Sequence, residues 1–307
     1  MKKLAFVIAN TGLGDSIAIS GLVRYLATKY EKVFTTCIIE FYEQIKLFYT
    51  EKNIIIYPLN TGTYNTEPYE FTKYMLSFRN IYDLYPVGNY NSVMVDNDKY
   101  IKKTFSGEIK KIIQNYPVSY YEDANIPPDY MTKYFKVTYP KEILNLYEEL
   151  LTKYQKYRVV HVNGSNANVN PVGDWQHYDP NNMLTINVNE NIYPVGHEYY
   201  DICNKFIKFP SIIYYAKLLE NATELFLIDS CIHALALLVD ISKANKKYCY
   251  KRESRFDYGV PNKFQYFNLI FKVPEEKLEE YRKNGMYKVI EHNDMLEVIK
   301  HNELAQA

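Results

Sequence analysis

Short apolar runs alternate with helical patterns along this chain. Leu4–Ala9 is a continuous apolar run that ends in turn residues, which is typical of a buried parallel strand. From Asp15 onward, apolar residues recur at helical spacing, at Ile19, Leu22 and Leu26. A strand, a glycine turn and a helix form the first half of a βαβ unit, so the chain is predicted to open with an α/β domain.

The same patterns predict the remaining elements. Strands are predicted over 32–41, 53–59, 158–164, 183–189 and 224–228, with another short apolar run in 90–100. Helices are predicted over 106–116, 140–157, 210–222, 229–241, 275–285 and 292–306. Residues 117–140 contain four prolines and few periodic apolar positions, so they are predicted to form a loop.

Strands alternate with helices in two halves of similar size, and each half has its own strand-to-helix turn. This order predicts an α/β fold with two Rossmann-like domains facing a central cleft. The predicted N-terminal domain covers 1–155 and lies on the acceptor side, and the second domain covers 156–275. Residues 276–307 are predicted to form helices that pack back on the first domain.

The amino-acid composition argues against some classes of binding partner. The chain has 307 residues, 47% of them hydrophobic, which is enough to bury a sizeable core. Lys plus Arg and Asp plus Glu each number 36, and this balance argues against a nucleic-acid partner while allowing a small phosphorylated ligand. The 33 tyrosines are spread throughout the chain. This distribution favours a bias of codon composition in an AT-rich genome, whereas tyrosines that stack on sugar rings would be grouped.

Cysteine spacing and hydropathy point to a soluble, cytoplasmic protein. Cys37, Cys203, Cys231 and Cys249 form no CxxC pair, so we expect reduced and mostly buried thiols. Only six apolar residues follow the two N-terminal lysines, which is too short for a signal-peptide core. No later segment approaches the roughly 18 apolar residues that a membrane span requires.

The turn Asn10-Thr11-Gly12-Leu13-Gly14-Asp15 is the first candidate site. Glycines after a buried strand allow backbone N–H groups to approach a ligand. Ile17 stands where the dinucleotide fingerprint has its third glycine, and the Lys-Ser/Thr pair of a P-loop is absent. Asp15 would repel phosphate but is well placed as a general base, with capping of the following helix as the alternative.

The segment Asp229-Ser230-Cys231-Ile232-His233 is the second candidate. A strand ends in Asp229, and Ser230 and Cys231 then open a helix, where free N–H groups and the helix dipole favour an anion. A buried helix cap with His233 facing the core is the alternative interpretation.

Two polar loops and an acidic triplet are further candidates. The segment that begins at His161 and runs to Trp175, and the segment 187–201 with Tyr193 and His197, both follow predicted strands. They fit either ligand binding or an ordinary solvated loop. Asp96-Asn97-Asp98 follows an apolar triplet and fits either Mg²⁺ or Mn²⁺ binding or a turn. The chain contains no GxSxG or HExxH motif, which disfavours those classes of hydrolase.

Three of these segments together resemble a known family. "TGLGD" after the first strand resembles the G-x-G-D turn of the ADP-heptose lipopolysaccharide heptosyltransferases and related glycosyltransferases of the GT-B fold. "YRVVHVNGSNA" resembles the strand that opens their second domain, and "ENATELFLIDSCIHALALLVDI" resembles their donor-site segment. The three segments occur in the family's order and cover about a quarter of the chain.

The resemblance implies a glycosyltransferase, hexosyl or pentosyl, that uses a nucleotide-diphosphate sugar and a glycan or other hydroxyl acceptor. It implies an inverting transfer that needs no metal or other cofactor, with Asp15 as the base. The donor side would comprise His161, Asn163, Gly164, Ser165, Asp229, Ser230, Cys231 and His233. The acceptor side and cleft would comprise Thr11, Gly12, Leu13, Gly14, Trp175, Tyr193 and His197.

The chain departs from the family pattern near the donor phosphates. Cys231 replaces a glycine, His233 lies one residue early, and Gly173 and Asp174 stand where a phosphate-binding lysine is expected. These differences favour a donor other than heptose, with helix dipoles or Arg158 neutralising the diphosphate, in an AT-rich virus or bacterium.

Three alternatives stay open at this stage. The first is a metal-dependent transferase of the GT-A type, built on Asp96 and Asp98. The second is a nucleotide-sugar epimerase or hydrolase on the same scaffold. The third is a non-catalytic module that binds glycan or a protein partner.

Overall fold

The chain divides into two compact units. A computed structural model describes residues 4–9, 12–60, 71, 74–88, 117–163 and 183–249, together with the backbone of the further strands named below. Unit 1 comprises 1–136 with 256–261, and unit 2 comprises 137–255 with 262–307. Among the described residues, no helix has the length and apolar character that crossing a membrane requires.

Unit 1 is built on a parallel sheet with strand order β3-β2-β1-β4. Its strands are β1 (Leu4–Ile8), β2 (Lys32–Ile38), β3 (Ile54–Leu59) and β4 (Tyr82–Pro86). Residues 5–9 are at most 3% exposed, because a strand at the centre of a parallel sheet is covered on both faces. The predicted strands over 4–9, 32–41 and 53–59 are therefore confirmed.

Helices of unit 1 follow the strands and cover the sheet. They are α1 (Leu13–Ala18), α2 (Ser20–Ala27), α3 (Tyr42–Ile45), α4 (Val118–Asp123) and α5 (Tyr130–Lys133). Short 3-10 turns cover Ile39–Phe41, Lys46–Phe48 and Leu76–Phe78. The loop predicted over 117–140 thus contains two short helices, since its prolines precede each helical turn instead of interrupting it.

Smaller sheets complete the described part of unit 1. An antiparallel sheet joins β5 (Asn91–Val95), β6 (Lys99–Lys103) and β7 (Ile109–Lys111). A parallel pair joins β8 (Asn115–Pro117) and β13 (Asp257–Gly259). The helix predicted over 106–116 is wrong where the structure describes it: Ile109–Lys111 pairs with β6 and Asn115–Pro117 pairs with β13, and these strand partners outweigh the helical spacing.

Unit 2 is built on a larger sheet with strand order β10-β9-β11-β12-β14-β16-β15. Pairing is parallel from β10 (Leu184–Asn187) through β9 (Tyr157–His161), β11 (Glu224–Ile228) and β12 (Lys246–Tyr250) to β14 (Asn268–Lys272). Every residue of β9, β10 and β11 is buried, including the polar Arg158, His161 and Glu224, because the faces of a parallel sheet are covered by other elements.

The helices of unit 2 are short except for one. They are α6 (Lys141–Lys153), α7 (Tyr200–Lys205), α8 (Ala216–Asn221) and α9 (Cys231–Ala236), with a 3-10 turn over Ile212–Tyr215. In α6 the buried positions Ile143, Tyr147 and Leu150 recur at helical spacing. Two parallel α/β sheets confirm the predicted fold class, while the domain boundaries and the cleft stay predictions.

Two antiparallel strands lie last in the described part of the chain. Strands β15 (Tyr287–His292) and β16 (Met295–Lys300) pair antiparallel, with His292 opposite Met295. The predicted helix over 292–306 is therefore wrong where the structure describes it, and the segment 275–285 lies outside the described residues. Leu296, Val298 and Ile299 suit a strand as well as a helix, and pairing with β14 and β15 decides between the two.

Candidate functional sites at the carboxyl ends of the two sheets

Each parallel sheet has a switch point, where the strands that follow are added on opposite sides of one central strand. In unit 1, β1 continues to β2 on one side, while β4 lies on its other side. In unit 2, β9 continues to β10 on one side, while β11 lies on the other and continues away to β12. In open α/β sheets the loops that leave two such strands diverge, and ligands generally bind between them. We therefore call the carboxyl ends of these strands the crevice of each unit.

The crevice of unit 1 contains Asp15. Gly12 is the N-cap of α1 and makes no side-chain cap hydrogen bond, so Asp15 lies inside the first turn. The Asp15 carboxylate accepts a hydrogen bond from the hydroxyl of Tyr120 on α4. The carboxylate is thus held by a tertiary contact and also accepts the backbone N–H groups of Gly12 and Asp15. The bond from the N-cap residue Gly12 fits the capping alternative as well, so Asp15 can cap α1 and face the strand end at once.

Glycines that follow β1 and β4 leave room for the side chains of Asp15 and Tyr120. A Cβ on Gly12 would lie 2.5 Å from Oδ2 of Asp15. Gly88, after β4, has a φ of +64°, and a Cβ there would collide with the ring of Tyr120. The Gly88 N–H donates to Oδ2 of Asp123 on α4 at 3.1 Å, which ties this turn to the helix that carries Tyr120. Both turns are therefore shaped around the Asp15–Tyr120 contact.

Burial raises the pKa of Asp15 above its ordinary value of 3.8. Hydrogen bonds from Tyr120, from the backbone of Gly12 and from its own backbone act in the opposite direction without cancelling that effect. A carboxyl group whose pKa is raised toward neutrality is a better proton acceptor than an exposed one. This is the electrostatic profile of a general base.

We predict that Gly88→Ala destabilises the protein more than Gly196→Ala. Gly196 also has a positive φ, of +93°, but nothing lies within 4 Å of the position of its Cβ. Gly196→Ala should cost about 1–2 kcal/mol through backbone strain alone. Gly88→Ala adds displacement of the Tyr120 ring and should cost about 2–5 kcal/mol. Urea denaturation of both variants measures the difference, and equal losses would contradict the packing around Tyr120.

The crevice of unit 2 contains His161 and Ser230. His161 is the last residue of β9, lies opposite Leu227 of β11 and is 4% exposed. Its Nδ1 lies 2.8 Å from Oγ of Ser230, which follows β11 and is the N-cap of α9. Burial lowers the pKa of His161 to about 4, so the imidazole is neutral at physiological pH. The two strand ends are therefore joined by a neutral hydrogen bond.

The loops beside this crevice are tied together by asparagines. The Asn163 N–H donates to Oδ1 of Asn189, and Nδ2 of Asn189 donates back to the Asn163 carbonyl, each at 3.3 Å. Asn187, the last residue of β10, accepts from the Asn189 N–H at 3.1 Å. These contacts place the exposed Asn163 at the same edge of the sheet as His161.

The other donor-side residues are placed as follows. Asp229 and Cys231 flank Ser230 and are half-buried, whereas His233 is buried within α9. Burial raises the pKa of the Cys231 thiol to about 11, so it is not a thiolate near neutral pH. Within the described parts of the chain, no group of three or more His, Cys, Asp or Glu side chains is placed to hold a metal ion.

Tyr193 and His197 form an aromatic cluster away from the strand ends. Their rings stack at 4.5 Å between centroids, and the Tyr193 hydroxyl accepts from the backbone N–H of Thr185 at 2.9 Å. Thr185 lies opposite Arg158, near the start of β9, whereas His161 ends that strand. The structure thus uses Tyr193 and His197 to hold the loop after β10, and does not bring them to His161 and Ser230.

Arg158, expected near the donor diphosphate, is at the opposite end of the sheet. It donates through Nε to Glu224 at 2.7 Å, and the two side chains are 4% and 5% exposed. Lys246 also contacts Glu224, at 2.9 Å. Because the Glu224 carboxylate already neutralises the Arg158 guanidinium, Arg158 joins β9 to β11 and does not face the strand ends.

Several predicted site residues lie outside the described part of the chain. They are Thr11, Gly164, Ser165, Trp175, Asp96 and Asp98. Conversely, the structure adds Tyr120 and Gly88, which sequence reasoning missed, and it places Asn187 and Asn189 of the candidate segment 187–201 beside Asn163. A glycine directly after a strand could have singled out Gly88, whereas nothing in the sequence separates Tyr120 from the other tyrosines.

Comparison with known proteins gives matches among solved structures alone: no protein-family model and no curated protein matches this chain. The glycosyl transferase family 9 protein from Veillonella parvula DSM 2008 has a TM-score of 0.49 and 10% identity, over 94% of this chain and 93% of that chain. E. coli heptosyltransferase WaaC with ADP-2-deoxy-2-fluoro heptose has a TM-score of 0.37 and 8% identity, over 93% and 100%. By name, these are the protein classes that the three sequence segments resemble.

Proposed function

We propose that the protein is a glycosyltransferase that moves a hexosyl or pentosyl group from a nucleotide-diphosphate sugar to a hydroxyl of a glycan acceptor. The observation that carries the proposal is the Asp15 carboxyl group at the strand-end crevice of unit 1, with its raised pKa and its glycine-lined surroundings. The resemblance of three ordered sequence segments to the GT-B transferases supports it.

Asp15 acts as the base in a single displacement. One of its carboxylate oxygens takes the proton of the acceptor hydroxyl while the hydroxyl oxygen forms a bond to the anomeric carbon. The bond between that carbon and the diphosphate oxygen breaks, and the nucleoside diphosphate leaves with the electron pair. One displacement at one carbon inverts its configuration.

The crevice of unit 2 receives the donor. Because His161 is neutral, its Nδ1–H can donate to Oγ of Ser230, which frees the Ser230 hydroxyl hydrogen for a phosphate oxygen. Asn163, at the same edge of the sheet, offers a further amide. Hydrogen-bond donors fixed in advance stabilise the charge that develops on the leaving diphosphate, and the proposed transfer uses them in place of a metal ion.

A thermal-shift screen with UDP, GDP, ADP, CMP and their sugars tests the donor class. A nucleotide at a hundredfold excess over its Kd stabilises the native state by about 2.7 kcal/mol, which raises Tm by about 4 °C in a protein of this size. Ligand-dependent transfer to an acceptor, followed by product analysis, then tests the reaction.

We predict that Ser230→Ala weakens binding of the nucleotide identified in this screen. Loss of a hydrogen bond to a charged oxygen should raise the Kd about tenfold or more. Ser242→Ala, an exposed serine of the same unit, is the matched control and should bind like the wild type. A Kd unchanged by Ser230→Ala would contradict the placement of the donor at this crevice.

The alternatives predict different outcomes in the same assays. Activity lost in EDTA and restored by Mn²⁺ would favour the transferase built on Asp96 and Asp98. Turnover of the donor without an acceptor would indicate an epimerase or hydrolase. No thermal shift with any nucleotide or nucleotide sugar would favour a module that binds without catalysis.

A further inference from the structure

The contact between Tyr120 and Asp15 distinguishes the two oxygens of the carboxylate. The Tyr120 hydroxyl donates to Oδ1, whereas Oδ2 lies over Gly12, in the space that any side chain at position 12 would fill. A carboxylate has four lone pairs, and Tyr120 and the backbone N–H groups of Gly12 and Asp15 use three of them, so Asp15 can still accept from one further hydroxyl.

We infer that Tyr120 is a positioning residue that holds Oδ1 of Asp15 and presents Oδ2, beside Gly12, as the oxygen that takes the acceptor's proton. The inference rests on the proposed function for the identity of the acceptor as a hydroxyl compound. The geometry itself depends on neither the donor nor the sugar.

Tyr120 is well placed for this role because its own position is fixed. Its side chain is 2% exposed, and its ring lies against Gly88, where a Cβ would collide with it. Asp123, on the same helix, accepts the Gly88 N–H and so fixes α4 relative to β4. A donor held by its surroundings loses little entropy when it orients a carboxylate.

The neighbouring tyrosine has a different task. The hydroxyl of Tyr121 accepts from the Leu22 N–H and donates to the Ala18 carbonyl, each at 3.0 Å, so it joins α4 to α1 and α2. Tyr121 is also fully buried, and these two hydrogen bonds of its hydroxyl are to the backbone of Leu22 and Ala18, not to Asp15. It therefore provides a matched control: the same residue type, on the same helix, in a purely structural role.

The ionisation of Asp15 reports the contact. Among the described residues, Tyr120 on α4 is the titratable side chain that acts on the pKa of Asp15, and the backbone of α1 supplies its other hydrogen bonds. The Tyr120 hydroxyl stabilises the ionised carboxylate, so its removal raises the pKa of Asp15 further. Asp123, the next acidic group on α4, remains in place in this variant.

The experiment compares Tyr120→Phe with Tyr121→Phe in the full chain. With ¹³C-carboxyl-labelled aspartate, the Asp15 signal is assigned by its loss in Asp15→Asn and is titrated with pH. We expect a higher midpoint in Tyr120→Phe than in the wild type, and an unchanged midpoint in Tyr121→Phe. An unchanged midpoint in Tyr120→Phe, or equal shifts in both variants, would overturn the inference.

Activity supplies a second measurement once a donor is known. Tyr120→Phe should be about tenfold slower than the wild type on the acidic limb of the pH profile and within about twofold on the plateau. If Tyr120→Phe does not fold, Gly88→Ala replaces it, since its Cβ displaces the Tyr120 ring and should raise the Asp15 midpoint in the same direction. Failure of the proposed function removes the activity measurement alone, and the titration still decides whether Tyr120 controls Asp15.

Discussion

Replacement of Asp15 by asparagine should reduce the rate of sugar transfer about 10²–10⁴-fold, the usual contribution of a general base. Asparagine keeps the size of the side chain and still accepts a hydrogen bond from Tyr120, but it cannot take up a proton. The loss should appear in kcat, with donor affinity unchanged, because the donor binds at His161 and Ser230 in the proposed mechanism.

Asp83→Asn is the matched control for this prediction. Asp83 lies on β4 of the same unit and accepts a hydrogen bond from the Tyr30 hydroxyl at 2.8 Å. It pairs with Ala5, near the start of β1, and so lies away from the strand-end crevice. This variant should retain normal transfer, and near-normal kcat in Asp15→Asn would exclude Asp15 as the base.

Asp15→Asn should also be at least as stable as the wild type at neutral pH. Burial raises the pKa of Asp15 in the folded state, so the folded protein holds a proton there at pH values where the unfolded chain has lost it. The stability that this provides is complete below the unfolded pKa of 3.8 and is lost as pH rises through the folded pKa. Asparagine never ionises, so urea denaturation above that pKa should give Asp15→Asn the advantage.

Replacement of Glu224 by glutamine should have the largest effect on stability, a loss of about 3–5 kcal/mol. Glu224 is the carboxylate shared by Arg158 and Lys246, and its removal leaves the buried Arg158 guanidinium without its ionic partner. A buried charge without compensation is far more costly than a missing surface contact. The midpoint of urea denaturation at pH 7 measures this loss.

Lys246→Met provides the comparison. The Lys246 side chain is 46% exposed, so its ion pair with Glu224 should contribute no more than about 1 kcal/mol. A loss as large as that of Glu224→Gln would show that the buried Arg158 pair is not the dominant contact. The two variants together separate the buried partner from the exposed one.

Acid should reduce the difference between Glu224→Gln and the wild type. Burial disfavours the charged form of Glu224, but hydrogen bonds and charge from Lys246 and Arg158 outweigh it and lower its pKa below 4.5. The stability from this group is therefore present above the unfolded pKa and is lost as pH falls through the folded pKa. A difference in unfolding midpoint that stays constant from pH 7 down to that range would argue against the ion pair as its source.

The sequence was most informative where one pattern had one interpretation. The run Leu4–Ala9 and the segment 225–228 are apolar throughout, and both lie in strands of parallel sheets where almost every residue is buried. The segment 292–306 combined helical spacing with strand-forming residues, and its described part pairs as a strand. The spacing of apolar residues cannot by itself distinguish a helix from a strand in a short segment, because the structure formed depends on whether a neighbouring strand is available for pairing.

By itself, the sequence determined the α/β class and the location of polar residues after strands, because continuous apolar runs and turn residues are local properties. Asp15 and Ser230 could be selected as candidates on this basis. Only the tertiary structure decided their partners: Tyr120 reaches Asp15 from 105 residues away, and His161 reaches Ser230 from 69. It also assigned Arg158 to Glu224 instead of a ligand, because strand order and register determine which side chains meet, and neither is contained in a local pattern.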